Sequence, residues 1–241
     1  MTRECNDDFT KLKGYILDYR ISYNLDNNSY MVSAKRMHKV YFSLVNWHAE
    51  YQHQIDFFSK KYTNNKDILL RVSEAISDIG SSNFNWLNGS YKASRVMLRS
   101  SIENFVRAIS SIDDEVQLTE KNVYKLFDRA HGSNIFNSSV HVNKLYKELH
   151  HRYKELCEDT HTASYKNMDK VTSLVDYPKY VEEKSITTEN IFIIIAKNIL
   201  VILCLIFNDL YHKMHHRNRE NIINSVQSNY KPLILFSNLC N

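Results

Sequence analysis

Glycine and proline are scarce in this chain, with four glycines and two prolines among 241 residues, against average usage of roughly 7% and 5%. Sheets joined by tight hairpins need positive-φ residues at their turns, so this shortage argues against an all-β fold. Cysteine is sparse too. Cys5, Cys157, Cys204 and Cys240 lie far apart without any CxxC spacing, which argues against a disulfide scaffold or a thiolate zinc site and suits a reducing compartment. The opening MTRECNDDFTKLKGY has no apolar leader, so a cytoplasmic location is expected. Neither sign of charge dominates: the formal net charge of +4 permits a nucleic-acid partner without requiring one. There is no GxGxxG, GxxxxGK[ST] or GxSxG, and this sets aside nucleotide-fuelled enzymes and α/β-hydrolases.

What is present is helical periodicity. Hydrophobic residues make up 43% of the chain, enough for a sizeable core, and the fold class expected is all-α, a helical bundle with an N-terminal helical extension. The extension spans residues 1–62, the bundle 68–226 and a tail 227–241. Phe9, Leu12, Tyr15, Ile16 and Tyr19 recur at helical intervals, and a turn at residues 26–29 ends in Ser29, a candidate cap. A helix from Tyr30 to about Lys60 follows, with Val40, Leu44, Trp47, Tyr51 and Ile55 on one face. A short helix then carries Leu69 to Ile76. Residues 80–90, GSSNFNWLNGS, hold two of the four glycines and are predicted to be a loop. Strong helices are predicted over 91–109 and 142–165, with a shorter one around Val123, Leu126 and Phe127. DYPKY (176–180) breaks the chain. SITTEN (185–190) supplies caps for a last helix running from Glu189 into the 220s.

Within that last helix, IFIIIAKNILVILCLIF (191–207) is the most apolar stretch. A charge at the centre of a spanning helix costs about 2.5–3.5 kcal/mol on insertion scales, and Lys197 with Asn198 sits mid-run. The preferred reading is a core helix with one polar stripe (Asn190, Lys197, Asn198, Asn208) rather than a membrane segment. The alternative rests on the basic HKMHHRNR (212–219), which follows as a cytoplasmic flank would.

Three constellations bear chemistry. Arg95, Arg99, Glu103 and Arg107 succeed one another at i+4, either as a solvated ion-paired face or as a guanidinium row that grips phosphates. Tyr146, His150, Tyr153, Cys157 and His161 lie along one side of the next strong helix. Imidazoles there suit acid–base chemistry and tyrosines suit base stacking, but from the spacing alone the preferred reading is an interior face in which His161 is a hydrogen-bonded structural histidine. Asp209, His212 and His216, with His215 beside them, share a face that a divalent ion could use. A polar helix end is the preferred reading there, and neither metal nor cofactor is expected.

The loop with Asn88 and Gly89, the A…LRSSIEN…R helix and the LYKEL…LCEDTH helix resemble HEPN-like proteins of prokaryotic defence and toxin systems, over roughly residues 68–225. The resemblance implies a homodimeric helical bundle that cuts RNA without metal, with an Arg and a His gathered in a cleft, and an antitoxin or defence-system protein as partner. This chain departs from the family's Arg-x4–6-His pattern, since no arginine has a histidine five to seven positions downstream. The resemblance then carries over only across helices. Arg99 would polarise the scissile phosphate, His161 would act as general acid or base, and Glu103 and Asn104 would orient them. Arg95, Asn104, Arg107, Tyr146 and Tyr153 would bind the RNA. The alternative is a non-catalytic helical interaction module, or a membrane-associated subunit through 191–207.

Overall fold

The computed structural model describes residues 3–59, 62, 64–159, 171 and 173–236. Among them there are helices and no strand, and the architecture is an all-α bundle. In chain order the α-helices are α1 (Arg3–Asp18), α2 (Asn28–His53), α3 (Ile55–Ser59), α4 (Asn65–Leu87), α5 (Tyr91–Ser110), α6 (Val123–Gly132), α7 (Val140–Glu158), α8 (Glu182–Ile206), α9 (Asn208–Lys213), α10 (His216–Ser225) and α11 (Lys231–Phe236).

At the centre lies α8, packed against α2, α4, α5 and α7, with α11 closing over it. From Asn198 to Cys204 every residue is buried, so this part of the helix has no solvent face. A helix that is apolar all round must be enclosed on all sides. Full burial of each Ile, Leu or Val is worth about 1.5–3 kcal/mol. By length and composition α8 could cross a membrane, yet 61% of its most apolar 18-residue window is buried within the fold. The expected polar stripe is not continuous. Asn190 is exposed, Lys197 half-buried and Asn198 enclosed, because residues 197 and 198 point about 100° apart on the helix.

Helix α2 runs parallel to α8. Ser33 donates to Glu189 at 2.6 Å, and Trp47 meets Phe207 with ring centroids 5.6 Å apart. Met37, Leu44, Trp47 and Tyr51 are wholly buried in the same apolar cluster as α4 to α8. The core is therefore continuous across residue 62, where the sequence suggested a division. Asn27 caps α2 by accepting from the Tyr30 N–H at 3.0 Å, in place of the expected Ser29.

Helices α4 and α5 form the tightest pair, an antiparallel hairpin tied by Ser82–Ser94 at 2.9 Å near its turn and by Asn64 Nδ2 to the Ser111 carbonyl at 2.8 Å at its far end. The loop predicted for 80–90 is instead helix as far as Leu87. Gly80 serves contact and not a turn: a Cβ there would stand 2.6 Å from the Tyr41 hydroxyl. The actual turn is Asn88–Ser90, where Gly89 has φ +74° and its Hα side abuts the Lys179 carbonyl.

Two further boundaries differ from expectation. SITTEN lies inside α8, which begins at Glu182. The helix predicted to reach the 220s breaks at Phe207 and again at Met214–His215, giving α9 and α10. The tail expected from 227 onward folds back through its described part. Tyr230 and Ile234 are buried, and the Ile234 carbonyl accepts from Asn208 Nδ2 at 3.0 Å.

Gly89→Ala is expected to cost about 3 kcal/mol, combining the left-handed penalty with a backbone clash. The urea midpoint should fall markedly, while Gly132→Ala, with open space around its Cα, leaves it nearly unchanged. Equal midpoints for the two variants would contradict the turn geometry.

Candidate functional site

The α5 arginine row is where the sequence placed the phosphate grip. In the fold α7 lies alongside α5, and each arginine of the row already has a partner. Arg95 meets Asp159 at 2.7 Å. Arg99 meets Glu103 at 3.0 Å and donates to the Tyr153 hydroxyl at 3.0 Å. Tyr153 in turn donates to Glu103 Oε1 at 3.0 Å, so guanidinium, phenol and carboxylate close a three-membered ring of polar contacts. Arg107 donates to the carbonyls of Gln117 and Glu120. Asn104 accepts from Arg71 at 3.1 Å and donates to Asp78 at 3.1 Å.

The electrostatics follow from this closure. Burial opposes the charge on Arg99, but its contacts with Tyr153 and Cys157 and the nearby Glu103 outweigh that, and its pKa is raised. Burial, offset in part by Arg99, pushes the Tyr153 phenol up, so it remains a neutral donor. Burial, then the nearby Arg71 charge, lowers Arg107 from its ordinary value. Asp159 is raised by burial, against the pull of Arg95 and Lys92. This ring fixes α7 against α5; it does not present an open guanidinium row.

The remaining site residues divide. Arg99, Glu103 and Tyr153 are brought together, whereas Asn104 and Arg107 turn toward α4 and the 115–120 segment. Tyr146 is fully buried, stacked on Phe136 at 4.3 Å with its hydroxyl donating to the Phe127 carbonyl at 2.9 Å. It is not open to a base, because its ring is wholly buried and its hydroxyl is bonded inside the core. His161 lies outside the described residues. The Asp209, His212, His216 set is divided by the break between α9 and α10, and His212 Nε2 faces the Ile234 carbonyl at 3.2 Å. Among the described residues no group of three or more His, Cys, Asp or Glu side chains is placed to hold a metal.

Beside the ring, α6 and α7 enclose a groove of about 570 Å³ lined by Val123, Tyr124, Phe127, Asp128, His131, His150, Tyr153 and Lys154. Its floor is the Phe127 ring, stacked on His150 at 4.7 Å and tilted against Tyr153 at 4.4 Å. His131 and His150 stand around the Tyr146 ring, their centroids 6.4 and 6.2 Å from it. Burial lowers the His150 pKa, and the charges of Lys154 and His131 lower it further. At the mouth Tyr124 is 83% exposed. The sequence reading had named His150 and Tyr153 but not His131, Tyr124 or Lys154. A signal was present: Tyr124, Phe127, Asp128 and His131 fall at i, i+3, i+4 and i+7, one face of α6.

Tyr153→Phe removes both contacts of its hydroxyl and should cost about 1–2 kcal/mol. Combined with Arg99→Met, the two losses should fall short of additivity by about 1 kcal/mol in denaturant titrations, since the residues share one network. Strict additivity would contradict the closed ring.

No protein-family model matches this chain, no curated protein matches it in sequence, and no solved structure matches it in fold.

Proposed function

We propose that this chain is an RNA-directed effector of a prokaryotic defence or toxin–antitoxin system, a metal-independent endoribonuclease whose strand lies in the α6–α7 groove. The observation that carries this reading is the pair of imidazoles, His131 and His150, in one groove with an exposed Tyr124 and the ammonium of Lys154. Two histidines supply both halves of acid–base cleavage. His150, kept neutral by burial, takes the proton of a ribose 2′-hydroxyl. The 2′-oxygen attacks the adjacent phosphorus, and the P–O5′ bond breaks. His131 gives its proton to the leaving 5′-oxygen, so the products are a 2′,3′-cyclic phosphate and a 5′-hydroxyl. Tyr124 offers a face for stacking a base and Lys154 a charge for the phosphate. In this scheme Arg99 and Glu103 are positioning residues that hold Tyr153 as the groove wall.

A non-catalytic helical interaction module is the second reading, favoured because each α5 arginine already has a partner within the fold.

Cleavage of single-stranded RNA by the purified chain in EDTA separates the two. His150→Ala and His131→Ala should each slow cleavage by about 10²–10⁴-fold, with melting temperatures preserved. A general base works deprotonated, and burial moves His150 down from 6.5. The rising limb of rate against pH should therefore have its midpoint below 6.5, with no further gain above it from this group. Binding without cleavage would move the assignment to the second reading. A folded protein that neither binds nor cuts RNA would contradict the effector reading and move the assignment to a module that docks a partner protein.

A further inference from the structure

A separate cluster of charge lies where α2 runs beside α8. Ser33 and Arg36 of α2 both reach Glu189 of α8, at 2.6 and 2.8 Å. One turn further along α2 comes Lys39, and along the α8 row of 189, 193 and 197 comes Lys197. Among the described residues the carboxylate in ion-pair contact with the cluster is Glu189. It is buried, 2% exposed, and already taken by Ser33 and Arg36. Neither Lys39 nor Lys197 has a carboxylate partner among the described residues. Lys39 is exposed, and Lys197 is half-buried immediately before the enclosed stretch Asn198 to Cys204. Burial, followed by the charges of Arg36 and Lys39, lowers the Lys197 pKa.

Arg36, Lys39 and Lys197 stand along one α2–α8 seam whose ion-paired carboxylate is Glu189, and this leaves a surplus of positive charge beside a half-buried lysine. A bound anion would offset it. The guanidinium of Arg36 has five N–H donors and spends one nitrogen on Glu189, so it keeps donors for an oxyanion. A guanidinium fork beside two ammonium groups matches a phosphate, which carries more than one negative charge and several acceptor oxygens, better than a single carboxylate.

We propose that Arg36 and Lys39 of α2 and Lys197 of α8 form a binding site for a phosphate-bearing anion. It shares no residue with the α6–α7 groove and stands independently of the RNA reading. The bland alternative is a solvated basic patch that concentrates no ligand.

The test is acetylation of the full chain by a water-soluble N-hydroxysuccinimide ester at low salt, read lysine by lysine by mass spectrometry. Inorganic pyrophosphate is the probe, sodium chloride at matched ionic strength is the control, and exposed Lys144 is the internal reference. Pyrophosphate should slow acetylation of Lys197 about tenfold relative to Lys144. Lys39→Ala should remove most of that protection without shifting the melting temperature, and Lys39→Arg should keep it. Arg36 is left intact, because its loss would strand the buried Glu189. A short oligonucleotide in place of pyrophosphate distinguishes a backbone phosphodiester from a free or terminal phosphate, and protection by either supports the site. Equal protection of Lys197 and Lys144, the same effect from chloride, or protection that survives Lys39→Ala would overturn it.

Discussion

Enclosure of α8 is the constraint on which the rest depends. A seven-residue stretch, Asn198 to Cys204, has no solvent face, so other helices must cover it on every side. That requirement draws α2, α4, α5, α7 and α11 into one shell. It also decides where polar groups go. Where α2 meets the first half of α8, the buried Glu189 is satisfied by Ser33 and Arg36. Where α7 meets α5, the polar contacts gather into the Arg99–Tyr153–Glu103 ring. Each of these contacts matters to stability, since an unpaired buried polar group pays its desolvation in full.

The ring explains why a groove can persist beside it. Tyr153 has its hydroxyl held by α5 while one face of its ring packs on Phe127 of α6. Phe127 then carries His150 on its plane. The polar closure thus holds α7 to α5 while the aromatic contacts of Phe127 tie α6 to α7, with both imidazoles lining the groove beside them. Preorganisation of this kind is what acid–base groups need, because a misplaced proton acceptor loses most of its effect.

The all-α class was legible because glycine and proline are too scarce to supply the turns of a sheet fold, and because α5 and α7 carry clean 3.6-residue periodicity. Boundaries were less legible for identifiable reasons. Gly80 looked like punctuation, yet it is small because Tyr41 crosses there. SITTEN looked like a cap, yet Ser185 and Thr188 are buried within the first two turns of α8, with the Ser185 carbonyl accepting from Trp86 Nε1 at 3.1 Å. For the site, the sequence supplied the residue types but not their state. Arg99, Glu103 and Tyr153 were singled out and do converge, while their mutual neutralisation depends on how α7 crosses α5, which no local pattern encodes. Tyr146 carried the same periodic signal as Tyr153, and only packing distinguishes the buried ring from the groove wall. His131 escaped notice because it sits at the end of a ten-residue helix, too short to show a full apolar face.

The most direct test of the account is a nuclear magnetic resonance titration of the imidazole resonances of the full chain with a short single-stranded RNA that cannot be cleaved because its 2′-hydroxyls are methylated. If the α6–α7 groove is the site, the signals of His131 and His150 shift together and saturably, while His48, held against Ser73 on α2 and α4, does not move. If the RNA binds and leaves both groove histidines unshifted, the assignment of function to that groove is contradicted.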